Sequence, residues 1–169
     1  MQWTIDRGVT MMRLLHYSSA PIEALHPIAP SAGEQMKPRG LWVSVEGEDD
    51  WESWCKDEQF GLEQLAVPHE VTLKPTANIL HISDADAIFD LGREYGMSLP
   101  LPWIGRDQVY RLDWPRLATH WQGLIISPYQ WSCRLDDRCF WYYGWDCASG
   151  CLWDVDAIAS ITAIEREAI

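Results

Sequence analysis

Two short apolar segments near the start of the chain each carry one ring suited to contacting a ligand. Residues 14–18 read Leu-Leu-His-Tyr-Ser and residues 40–44 read Gly-Leu-Trp-Val-Ser, and we expect both to form strands. An imidazole such as His16 can hydrogen-bond to a ribose hydroxyl while the protein holds its other nitrogen. The indole of Trp42 can lie flat against an aromatic ring, since Gly40 permits close backbone approach. Taken singly, either ring also suits the core, but together they favour a nucleotide cleft.

The order and separation of these segments resemble the first two signature strands of ADP-ribosyltransferases of the diphtheria-toxin and poly-ADP-ribose polymerase type. In that family a first strand typically ends in His-Gly-Ser or His-Gly-Thr, and the second typically reads Gly-Ile-Tyr-Phe-Ala. Here Tyr17 stands in place of the glycine, and Trp42 replaces the tyrosine and preserves stacking. The resemblance implies an NAD site between the two strands, covered by the proline-rich residues 19–39. It assigns NAD binding, as substrate, to His16, Tyr17, Ser18, Gly40, Trp42 and Ser44.

The family's third signature is an acidic residue near a late strand, where it stabilises the ribosyl oxocarbenium ion as nicotinamide leaves. Residues 150–158, Gly-Cys-Leu-Trp-Asp-Val-Asp-Ala-Ile, are similar to the family's closing pattern, but the usual preceding glutamate is missing. The nearest upstream acid is Asp146, which the resemblance implies as the catalytic carboxylate beside His16, with Gln130 as the alternative. A negative charge there would stabilise positive charge developing on the sugar. The structural alternative for Asp146 is a turn residue that caps its own backbone.

Length and charge limit the classes of function. The chain has 169 residues, which suits a single domain over residues 11–169 with a possible N-terminal arm over residues 1–10. Its formal net charge of −12 disfavours binding to nucleic-acid backbones, which requires clustered Lys and Arg. No apolar run approaches the length of a membrane span and no signal peptide is evident, so we expect a cytoplasmic protein without a membrane partner.

The chain contains five cysteines, and four of them fall late in the sequence. Cys133, Cys139, Cys147 and Cys151 lack the paired Cys-x-x-Cys spacing of ordinary zinc sites. His69, His81 and His120 are scattered and fit no metal spacing either. We therefore expect no metal site and reduced, mostly buried thiols.

The pattern of short strands interrupted by two or three helices predicts an α+β fold with a split, mixed or antiparallel sheet. The predicted strands are residues 12–18, 40–45, 67–73, 78–82, 124–129, 150–154 and 158–164. Predicted helices begin at Asp49 or Asp50, at Ser83 or Asp84, and at Asp113. Residues 97–112, which hold Pro100 and Pro102, are predicted to form a loop.

The resemblance implies an enzyme that releases nicotinamide from NAD⁺ and transfers ADP-ribose to a cellular macromolecule, in the manner of a toxin or an effector. Without a positioned acceptor, the same groups would make an NAD glycohydrolase. Two alternatives stay open. The acidity and the missing glutamate favour a non-catalytic inhibitor or nucleic-acid mimic that blocks a basic protein surface. A degenerate transferase fold could also keep the cleft and bind a different ligand.

Overall fold

The computed structural model of the chain describes residues 12–33, 35–103 and 105–165. The predicted N-terminal arm, residues 1–10, lies outside them. In chain order the strands are β1 (Leu14–Ser18), β2 (Leu41–Val45), β3 (Val67–Leu73), β4 (Ile79–Ile82), β5 (Gly96–Leu101), β6 (Arg106–Leu112), β7 (Gly123–Ile126), β8 (Ser149–Leu152) and β9 (Ile158–Ala163). The α-helices are α1 (Trp51–Glu58), α2 (Ala85–Tyr95) and α3 (Trp114–Ala118). The described part of the chain also contains four 3₁₀ segments, which are Leu62–Ala66, Trp131–Cys133, Asp137–Gly144 and Val155–Ala157.

Seven strands form one mixed sheet in the order β4-β7-β8-β2-β1-β3-β9, which confirms the predicted α+β class. The pair β4–β7 is parallel and the other neighbours are antiparallel. Strand β1 pairs with both β2 and β3, and β2 pairs with β8 on its other side. The two strands that carry His16 and Trp42 are therefore neighbours in the interior of the sheet, where their backbones are held on both sides.

The helix starts follow the predicted caps. The Asp50 carboxylate accepts a hydrogen bond of 2.8 Å from the Ser53 N–H and so begins α1. Asp84 does the same for the Ala87 N–H at 2.9 Å and begins α2. Each carboxylate satisfies an N–H group that has no partner inside its own helix.

The prediction of a loop over residues 97–112 is wrong. Strands β5 and β6 pair there as an antiparallel two-stranded sheet, with Leu99 opposite Gln108 and Pro100 opposite Asp107. A proline is tolerated in such a hairpin, because an edge strand does not need every N–H group for pairing. Pro100 therefore lies on an edge strand, and Pro102 follows it in the turn.

The core combines aliphatic side chains from the strands and α2 with an aromatic cluster from α3, the 3₁₀ segment Asp137–Gly144 and the residue that follows it. Trp114, Trp141, Tyr142 and Trp145 are fully buried and contact one another. All five cysteines are buried and unbridged, as predicted. No described helix is long and apolar enough to cross a membrane.

Candidate functional site

A cavity of about 290 Å³ lies beside the β1–β2 pair. Its other walls are the start of α1, the 3₁₀ segment Leu62–Ala66, the C-terminal end of the proline-rich segment 19–39, and the turn that leads from the 3₁₀ segment Asp137–Gly144 into β8. The lining includes five of the residues predicted to form a site, which are His16, Tyr17, Trp42, Ser44 and Asp146. Asp146 is distant in sequence from the other four, and β8 brings its turn to them by pairing with β2.

His16 is fixed by the neighbouring strand. Its Nδ1 lies 2.7 Å from the main-chain carbonyl oxygen of Trp42, and because a carbonyl can only accept, Nδ1 carries the proton. In the neutral ring Nε2 is then an acceptor, and no described residue bonds to it. Burial lowers the pKa of His16, the bond to Trp42 raises it, and the neighbouring His69 lowers it further. Burial outweighs the bond, so the ring is neutral near pH 7.

His69 lies opposite His16 on β3, with their ring centroids 6.2 Å apart. Its Nε2 accepts a hydrogen bond of 3.0 Å from the Ile22 N–H, which ties the proline-rich segment to the sheet. Nδ1 must then carry the proton, and within the described part of the chain this buried nitrogen has no partner. The sequence spacing of His16 and His69 gives no sign that the two rings are neighbours, because their contact depends on the register between β1 and β3.

Trp42 presents its indole to the cavity and packs against Trp145, with ring centroids 4.9 Å apart and planes tilted by 60°. The ammonium of Lys37 lies over the Trp42 ring, 5.3 Å from its centroid. The Trp42 ring is therefore already in contact with a cation. Sequence reasoning missed Lys37; its only signal was a basic residue five positions before Trp42 in the segment expected to cover the site.

Asp146 is partly exposed and lies between two cations. Its Oδ2 is 3.6 Å from Lys37 Nζ, and its Oδ1 is 3.8 Å from Arg134 Nη2. At these distances the two ion pairs are loose. They keep the carboxylate near the cavity, and its oxygens can still contact a ligand. The cavity thus combines a carboxylate, an ammonium, an aromatic face and an imidazole acceptor.

Two further polar side chains in the lining, Ser44 and Tyr17, have structural partners. Ser44 Oγ accepts a hydrogen bond of 2.9 Å from the N–H of Trp51, the first residue of α1. The Tyr17 hydroxyl donates to Glu52 at 3.1 Å. Burial raises the pKa of Cys147 to about 12, so this thiol is protonated and is not a nucleophile at neutral pH.

Three candidate residues lie outside the cavity lining. The Ser18 hydroxyl donates to the Ala20 carbonyl at 2.6 Å. Gly40 faces β8, where an added Cβ would lie 2.3 Å from Cys151 Sγ. Gln130 donates to the Pro128 carbonyl at 2.9 Å and so holds its own loop. The glycine that precedes β2 is thus required for close approach to β8.

Within residues 12–33, 35–103 and 105–165, no group of three His, Cys, Asp or Glu side chains could hold a metal ion. Comparison with known proteins finds no match: no family model, no curated protein and no solved structure is significantly similar to this chain.

Proposed function

We propose that the cavity binds the nicotinamide end of NAD⁺ and that the protein is an ADP-ribosyltransferase. The observation that carries this proposal is that His16, Trp42 and Asp146 line one cavity. These are the three residues whose types match the family's imidazole, stacking ring and late acid. The pairing of β8 with β2 brings the turn that carries Asp146 to the cavity that His16 and Trp42 line.

The size of the cavity supports a partial fit. Cavities that enclose a whole small molecule typically occupy about 300–1,000 Å³, and this one measures about 290 Å³. It can enclose the nicotinamide ring with part of its ribose. The adenosine half of NAD⁺ would then lie outside it, on the protein surface.

Each side chain has a definite role in the proposed reaction. The Nε2 of His16 accepts a hydrogen bond from a ribose hydroxyl, and Trp42 contacts the nicotinamide ring. The C1′–N bond breaks and its electron pair leaves with neutral nicotinamide. Positive charge develops on the ribose, where the Asp146 carboxylate stabilises it. The acceptor's nucleophile then bonds to C1′ and loses its proton to solvent, and water in that position gives hydrolysis.

Three of the acidic residues around α1 have partners within the fold, which gives less support to the inhibitor or nucleic-acid mimic. Asp50 caps the helix, and Glu46 pairs with Arg13 at 2.8 Å. Glu52 pairs with Lys56 at 2.8 Å. A surface that mimics nucleic acid needs free negative charges, and these carboxylates are used within the fold.

Nicotinamide release from NAD⁺, together with the shift in melting temperature that NAD⁺ causes, tests the proposal. We expect turnover and a positive shift for the wild type. Trp42→Phe keeps a stacking ring and should retain most of the affinity, whereas Trp42→Ala should lower it by about tenfold. Absence of both turnover and a thermal shift in the wild type would refute the proposal.

A further inference from the structure

The ammonium of Lys37 lies in the cavity, close to both Trp42 and Asp146. Its Nζ lies 5.3 Å from the Trp42 ring centroid and 3.6 Å from Asp146 Oδ2. An aromatic face opposite a carboxylate is a general recognition pattern for an organic cation. The protein therefore already holds one cation of its own between the two groups.

The Lys37 side chain lies in a slot, which is formed by the backbone of Gly144 and leads to the Trp42 ring. Its stem runs over the backbone of Gly144, where an added Cβ would lie 2.9 Å from Lys37 Cε and 3.2 Å from Cγ. The next residue, Trp145, packs against Trp42 and so keeps the slot beside the ring. The Lys37 side chain is nevertheless 46% exposed, so its ammonium can leave for solvent without unpacking the core.

We propose that the ammonium of Lys37 occupies the binding position of a cationic ring in the ligand-free protein and is displaced when such a ring binds. Lys37 thereby makes the cavity selective for ligands that carry positive charge. This inference rests on the proposed function and identifies the ligand class as a pyridinium ring. A cationic ring can replace the ammonium charge for charge, because Trp42 and Asp146 attract both. A neutral ring of the same shape gains nothing from Asp146 and leaves Lys37 in place.

The exchange frees the lysine for a second contact. Once displaced, the ammonium remains tethered close to the cavity and can pair with a phosphate of the same ligand. In a Lys37 variant, the affinity for NAD⁺ would therefore reflect two opposing effects: the ammonium no longer competes for the cavity, and it no longer contacts a phosphate. A probe without phosphates separates the two effects.

The test measures binding of the N-methylnicotinamide cation and of neutral nicotinamide by calorimetry. Lys37→Met keeps much of the stem and removes the charge, so it should bind the cation about threefold or more tightly than the wild type. Affinity for neutral nicotinamide should stay unchanged. Lys37→Arg retains a competing cation and should behave as the wild type does. The matched control is Lys74→Met, which removes an exposed lysine outside the cavity lining and should change neither affinity.

A second variant tests the slot without removing the charge. Gly144→Ala places a Cβ against the Lys37 stem and should raise affinity for the cation in the same direction as Lys37→Met. Three results would overturn the inference: no gain for the cation in Lys37→Met, an equal gain for both probes, or no cation binding in any variant. Because these measurements need no turnover, they fail independently of the proposed transferase activity, which stands or falls on nicotinamide release.

Discussion

The Nδ1–H of His16 donates a hydrogen bond of 2.7 Å to the main-chain carbonyl of Trp42. This bond connects the two candidate ligand-binding residues directly, across the β1–β2 pair. It fixes both the proton on the imidazole and the orientation of the ring, and so leaves Nε2 as the acceptor. Burial of the same ring lowers the pKa of His16.

Stability should fall on acidification because of His16. The unfolded chain takes up a proton at this residue near its ordinary pKa of about 6.5, whereas the folded protein does so only at lower pH. The contribution of neutral His16 is fully present above this value and is lost as the pH falls towards the folded pKa. Urea unfolding of the wild type and of His16→Gln across this range should show that the difference in unfolding free energy shrinks with acidification. A difference that stays constant or grows would show that the imidazole is not held neutral by the fold.

Gly40 should be required for stability of the sheet. In Gly40→Ala the new Cβ meets Cys151 Sγ at 2.3 Å and the Leu152 carbonyl oxygen at 2.7 Å. Because one of these is backbone, relief requires the strands to shift, and we expect a loss of about 1–3 kcal/mol in unfolding free energy.

The matched control is Gly33→Ala, where nothing lies within 4 Å of the added Cβ. It should change the unfolding free energy by about 0.5 kcal/mol or less. Equal effects of the two substitutions in chemical denaturation would contradict the close approach of β2 to β8.

All five thiols should be inert in the folded protein. Burial raises the pKa of Cys55 to about 11 and of Cys147 to about 12, and it also raises the pKa values of Cys133, Cys139 and Cys151. Since the thiolate is the reactive form, a disulfide reagent near pH 8 should modify no thiol in the native protein and all five in denaturant. Rapid modification of a native thiol would show that a cysteine is exposed or activated.

Local signals predicted most of the elements. Asp50 and Asp84 are helix caps that act within a few residues, and the apolar segments of β1 and β2 are equally local. The sequence could not show that β3 and β4, which follow one another in the chain, lie near opposite ends of the sheet. Residues 97–112 were misread because proline is compatible with both a loop and an edge strand.

The candidate site was predictable in its residue types and less so in its contacts. His16 and Trp42 could be selected because they stand on short strands with few other polar groups. The ion pairs of Asp146 with Lys37 and Arg134 depend on tertiary packing between distant segments, for which the sequence carries no periodic signal. Lys37 was missed for the same reason.

The most direct measurement of the central claim is the rate of nicotinamide release from NAD⁺ by the wild type, by Asp146→Asn and by the control Asp57→Asn. Asp57 is an exposed carboxylate on α1 outside the cavity lining. We predict turnover in the wild type and in Asp57→Asn, and a loss of about 100-fold or more in Asp146→Asn, because the neutral amide no longer stabilises charge on the ribose. Equal rates in the wild type and Asp146→Asn, or no release by the wild type, would contradict the account.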